Sequence, residues 1–83
     1  MEEMKGDEMN EQKKPFDLLN SALNNTVIIG MKGGIQMRGV MVAYDIHMNL
    51  VLEKAELLVD GEVKKGLGNV LVRGDSVVYI SPS

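Results

Sequence analysis

Cysteine and tryptophan are both absent from these 83 residues, and histidine occurs once. Without thiols there are no disulfides and no thiolate metal ligands, and one imidazole is too few for a structural zinc site. Aromatic side chains are scarce. One Phe and two Tyr leave little with which to line a groove for proline-rich peptides. No apolar run is long enough to span a bilayer, and the amino terminus is acidic rather than signal-like, so the expected location is the cytoplasm. There is no serine elbow and no carboxylate cluster at metal-binding spacing, so neither an enzyme nor a cofactor is expected.

Positive charge is also short. Nine Lys and Arg stand against twelve Asp and Glu, for a net charge of -3. That is the wrong sign for strong binding to duplex DNA, because phosphate contacts normally leave a basic footprint. The excess is uneven. Residues 1–14 hold five acidic and three basic groups, and the remaining 69 residues hold seven and six. The body of the chain is therefore close to neutral, and any affinity for nucleic acid must come from local sites.

What is present fits one small domain. A chain of this length buries only about 60% of the surface it exposes unfolded, which leaves it marginally stable alone. With disulfides and metals excluded, association with further subunits is the remaining source of stability.

Residues 1–14 carry only methionines as apolar side chains, and a segment so polar is expected to be a disordered tail. A helix follows over about 15–24. Pro15 suits its first turn, Asp17 complements its dipole, and Phe16, Leu19 and Leu23 recur at helical spacing. Asn24 and Asn25 suit its end. Everything beyond reads as strands, at about 26–31, 35–45, 49–59, 67–72 and 76–81. Lys32-Gly33-Gly34 and Asp60-Gly61 are hairpin signals, and Arg73-Gly74-Asp75 reads as a tight turn. Lys64-Lys65 reads as a solvated loop pair. Gly39 interrupts the long second strand, where a glycine marks a bulge or sharp bend. One helix before five antiparallel strands, the second bent, predicts a mainly β fold, a small and strongly curved barrel. The last strand is apolar on both faces and the fourth has few charges. As free edges they would be sticky, and pairing one subunit's 76–81 with a neighbour's 67–72 would satisfy both.

Two stretches then carry a pattern. Lys32-Gly33-Gly34 through Arg38-Gly39-Val40, with Tyr44-Asp45-Ile46-His47-Met48-Asn49-Leu50-Val51-Leu52, resembles the first conserved segment of the Sm and Sm-like RNA-binding proteins. Leu67-Gly68-Asn69-Val70-Leu71-Val72-Arg73-Gly74-Asp75-Ser76-Val77-Val78-Tyr79-Ile80 resembles the second. The likeness spans residues 15–83 and is nearest to the archaeal form. Two motifs in order on a matching strand pattern are more specific than any single short one.

The resemblance implies a helix-capped Sm-type (SH3-like) barrel, a closed ring of identical subunits, usually seven in archaea, and single-stranded uridine-rich RNA bound around a central pore. It implies a general role in RNA processing, turnover or chaperoning. It also implies roles residue by residue. His47 matches the group on one side of a bound base, Arg73 the guanidinium covering the other, and Asn49 the reader of the base edge. Asp45, Met48, Gly74 and Asp75 support them, with Asp45 and Asp75 as candidates for holding the Asn49 amide in one orientation and Met48 packing beneath its loop. Lys32 could reach phosphate, and Tyr44 could offer a second stacking surface away from the pore. The competing reading is a small-barrel interaction or assembly scaffold whose loops contact protein instead.

Overall fold

The computed structural model describes residues 14–83, so the tail read at 1–14 lies, save for Lys14, outside the described residues. Helix α1, Pro15–Ala22, begins with Pro15 in its first turn. The Asp17 carboxylate accepts from the Lys14 backbone N–H at 3.3 Å, which satisfies a donor that the helix start leaves free. Asn24, at φ 65°, supplies the left-handed residue that turns the chain out of the helix.

Five strands follow: β1 Asn25–Met31, β2 Gln36–Tyr44, β3 Leu50–Val59, β4 Glu62–Val72 and β5 Val77–Pro82. All paired neighbours run antiparallel in the order β4-β3-β2-β1-β5. The main departure from expectation is β4, which starts at Glu62 rather than Leu67. Asp60 and Gly61 take φ 53° and 80°, so Val59 pairs directly with Glu62 and no loop intervenes. Positive φ at both central positions matches strand twist and closes the hairpin in two residues. Lys64 and Lys65 therefore sit exposed on a strand rather than in a loop.

The sheet cannot be flat. Val72 is paired with Leu50 at one limit of the strand order and Val77 with Met31 at the other. Only residues 73–76 join them, and Gly74–Ser76 is coiled into a single 3-10 turn. In a flat sheet four strand spacings would part β4 from β5 by about 19 Å. Five extended peptide steps reach at most about 18 Å, and a coiled turn reaches less. The strands must curl until the two edges approach, which makes a barrel. The curl is concentrated where the ladder slips. Register shifts fall between Arg38 and Val40 on β2 and between Leu52 and Ala55 on β3. Lys54 and Gly68 both have positive φ. Gly39 is buried there, and a Cβ on it would stand 3.1 Å from both the Ala55 Cα and the Glu53 carbonyl oxygen. The expected bend at Gly39 is therefore a close approach of two strands that would crowd any side chain there.

Inside the curl lies one core, with Val27, Ile29, Met41, Leu50, Leu52, Ala55 and Val72 from the strands and Leu19 from α1. Val27 and Ile29, or Leu50 and Leu52, alternate inward at period two, while Leu19 plugs one end. Burial of each large aliphatic side chain stabilises the fold by about 1.5–3 kcal/mol.

Candidate nucleic-acid interface

The connection from β2 to β3, residues 45–49, is organised around one carboxylate. Asp45 Oδ1 accepts from the backbone N–H groups of His47 at 2.9 Å and Asn49 at 3.1 Å, and its Oδ2 accepts from Asn49 Nδ2 at 3.1 Å. The main chain closes the turn, with Asp45 N–H donating to the Asn49 carbonyl and Met48 N–H to the Asp45 carbonyl, at 3.1 and 3.0 Å. A short acidic side chain at a turn start suits this role because it reaches backbone donors two and four residues on. The Asn49 side-chain hydrogen bond holds the Asp45 carboxyl below its ordinary value of 3.8; desolvation opposes it, and the two backbone donors and the nearby His47 add to the lowering. Met48, at φ 64°, packs its half-buried side chain against the core.

The second loop comes from the other end of the chain. Ser76 N–H donates to the Arg73 carbonyl at 3.0 Å, and Arg73 Nη2 donates to Asp75 Oδ2 at 3.2 Å. Both of these side chains are mostly exposed, so their ion pair biases the guanidinium only weakly.

The two loops are welded at Gly74. Its N–H donates to Asn49 Oδ1 at 2.8 Å. A Cβ at this position would fall 1.9 Å from the His47 carbonyl oxygen and 2.9 Å from the Met48 carbonyl carbon, so no residue but glycine fits. His47, Asn49 and Arg73, scattered over 27 positions, thus stand on touching loops, with His47 and Arg73 exposed and Asn49 half-buried. Asn49 has spent one hydrogen on Asp45 and one acceptor position on Gly74. One N–H and one lone pair remain for a ligand.

The other expected contributors divide. Lys32 lies at an exposed hairpin tip whose backbone N–H donates to the Ser76 carbonyl at 3.1 Å, so it adjoins the end of the Arg73 turn. Tyr44 packs against the helix: its ring stacks on Phe16, centroids 6.0 Å apart at 19°, and its hydroxyl donates to Asn20 Oδ1. It anchors α1 to the barrel. Asp75 touches Arg73 but is not among the hydrogen-bond partners of Asn49. Sequence reasoning assigned Gly74 a supporting part without finding its bond to Asn49, since a backbone N–H has no residue-type signature. Among the described residues no group of three or more His, Asp or Glu is placed to hold a metal ion.

The LSM domain family model matches residues 17–82, which takes in most of the helix, the barrel and both loops. The chain belongs to the LSM, or Sm-like, family. An Sm-like protein of Methanococcoides burtonii is 55% identical over 69 residues, covering 83% of this chain and 96% of the relative. Among solved structures, the Sm protein of Pyrococcus abyssii in complex with a uridine heptamer is 42% identical and superposes with a TM-score of 0.83, covering 86% of this chain and all of that one. The SmAP1 heptamer of P. aerophilum is 32% identical with a TM-score of 0.80, over 88% of this chain and 97% of that one. These Sm proteins share the helix-capped five-stranded barrel.

Proposed function

We propose that this chain forms a closed ring, seven-membered like its structural relatives, and binds single-stranded uridine-rich RNA at loops 45–49 and 73–76, one nucleotide per subunit. The observation that carries this is the weld between the loops: Asn49, its amide held by Asp45 and Gly74, shares these joined loops with two exposed planar side chains, His47 and Arg73. A base stacked between an imidazole and a guanidinium gains about 1–3 kcal/mol whatever its identity. The free N–H and lone pair of Asn49 then complement uracil O4 and N3–H.

Ring formation is supported by the two strands left at the limits of the sheet. On β4, Val63 and Leu71 are exposed, and on β5, Val78 and Tyr79, all beside unpaired backbone. Joining β5 of one copy to β4 of the next would satisfy both edges, and a heterologous contact of that kind closes when the rotation per subunit allows. Closure matters for affinity, because one pocket is weak while adjoining pockets bind consecutive bases at high effective concentration.

A role in RNA processing, turnover or chaperoning, in the cytoplasm and without catalysis, completes the reading, and its support is family membership. Filter binding of oligo(U), oligo(C) and oligo(A), with native mass spectrometry of the assembly, tests it. A stable ring that ignored all three oligomers at low ionic strength would favour the interaction-scaffold reading instead.

A further inference from the structure

We infer that residues 1–13 act as an electrostatic barrier that slows the approach of any RNA strand to the 45–49 and 73–76 loops; the inference rests on the RNA-binding reading above. Charge is divided sharply along this chain. Residues 14–83 hold seven acidic and seven basic groups. Residues 1–13 hold Glu2, Glu3, Asp7, Glu8 and Glu11 against Lys5 and Lys13. The whole net charge of -3 therefore lies in the first thirteen residues, with the sign opposite to that of a usual phosphate-binding footprint.

The point of attachment gives that charge its effect. Lys14 joins it to α1, and Pro15, next in the chain, lines one cavity together with Met48 and Gly74. Met48 belongs to the first loop and Gly74 to the second, so the acidic residues are tethered beside the proposed RNA site. Whatever path they take, thirteen residues reach no further than about 45 Å. In about 0.01 M salt a charge is felt over about 30 Å. The loops bring no excess of their own to cancel it. Arg73 and Lys32 are matched by Asp75 and Asp45, and all four are exposed. Repulsion of phosphate by the tethered carboxylates is thus the effect that wins.

A ring multiplies the acidic excess by its number of subunits. Such a field opposes diffusional encounter and acts chiefly on the association rate. It acts on phosphates and is blind to bases. Its consequence is a raised threshold: strands attracted by charge alone are turned away, and strands that fill successive base pockets are retained.

The test changes the charge of this segment and leaves residues 14–83 untouched. In the full-length chain, Glu2→Gln, Glu3→Gln, Asp7→Asn, Glu8→Gln and Glu11→Gln are combined in a neutralised variant. Lys5→Glu with Lys13→Glu makes a second, more acidic one. Rings are checked by native mass spectrometry, and either variant decides alone if the other fails to assemble. Association rates for oligo(U), oligo(C) and oligo(A) are then measured from about 0.02 M to about 1 M salt. At the lowest salt the neutralised ring is expected to associate about tenfold faster than the unmodified one, and the acidic ring more slowly. Both differences should vanish at about 1 M, where the field reaches only about 3 Å. The order of preference among the three oligomers should not change. Equal rates at low salt, or both variants shifting in one direction, overturn the inference and leave the proposed function standing. A difference undiminished at high salt also overturns it, because a direct contact would then be responsible. If every ring ignores all three oligomers, the proposed function falls, and the inference with it.

Discussion

In the loops 45–49 and 73–76, Asp45, Asn49 and Gly74 satisfy one another through hydrogen bonds of 2.8–3.1 Å, and even the space beside Gly74 is filled. Along β4 and β5 the reverse holds. Each strand has one unpaired edge, and Leu71 and Val78 are 66% and 63% exposed. The pocket is finished inside one chain while the sheet is not. Polar geometry of this kind needs only short contacts between two loops, whereas a sheet edge can be completed only by another backbone. In the proposed ring, one copy carries the chemistry and assembly supplies multiplicity.

The contrast breaks most completely at the edge. Val78→Asp places a charge on exposed β5 and replaces no residue of either loop, so native mass spectrometry should show monomers. Oligo(U) affinity should fall by about 10²–10⁴, the contribution of linked pockets. A monomeric variant that bound oligo(U) as tightly as the ring would show that the pocket does not need its copies. Gly74→Ala attacks the finished end instead. Its Cβ must displace the His47 carbonyl, and the strain should cost about 1–3 kcal/mol in chemical denaturation and abolish preference for uridine even where rings persist. Arg73→Ala comes next. It removes one of the two planes over the base and should weaken binding of a single uridine nucleotide by about 1–3 kcal/mol. Asp75→Ala, which frees the guanidinium without removing it, should do less, and U-over-C preference should survive because Asp75 does not reach Asn49.

The smallest expected effect is acid loosening of the 45–49 loop. The Asp45 carboxyl is depressed below 3.8 in the fold, first by the Asn49 amide, so its contribution to loop order is complete above that value and is lost as pH falls through the lower native one. Amide exchange or NMR signals of His47–Asn49 should be steady at pH 5 and broaden only below about 3.8, and Asp45→Asn should flatten the transition. Broadening in the wild type well above that range would mean the carboxylate is not the organiser.

Much of this was legible residue by residue. The turn at Asp60-Gly61, the bend at Gly39 and the helix start at Pro15 all follow from φ preferences or spacing that depend on adjacent residues. The reach of β4 was missed because Glu62, Lys64 and Lys65 resemble a loop by composition. Only the two-residue turn, which pairs Val59 with Glu62, commits them to the strand. Tyr44 was left open between stacking on a ligand and packing. A lone aromatic does not reveal its partner, and Phe16 lies 28 positions earlier.

The sequence by itself determined the elements, their turns and the kinds of groups offered to a ligand, because period, propensity and left-handed turns are local physics. It did not determine that Gly74 would hand its N–H to Asn49 across 25 residues, nor that β4 and β5 would be left as the two open limits of one curled sheet. Those outcomes depend on how far five strands roll together. That roll is the summed result of register shifts on β2 and β3, the positive-φ residues Lys54 and Gly68 and a packed core, which no single stretch of the chain contains.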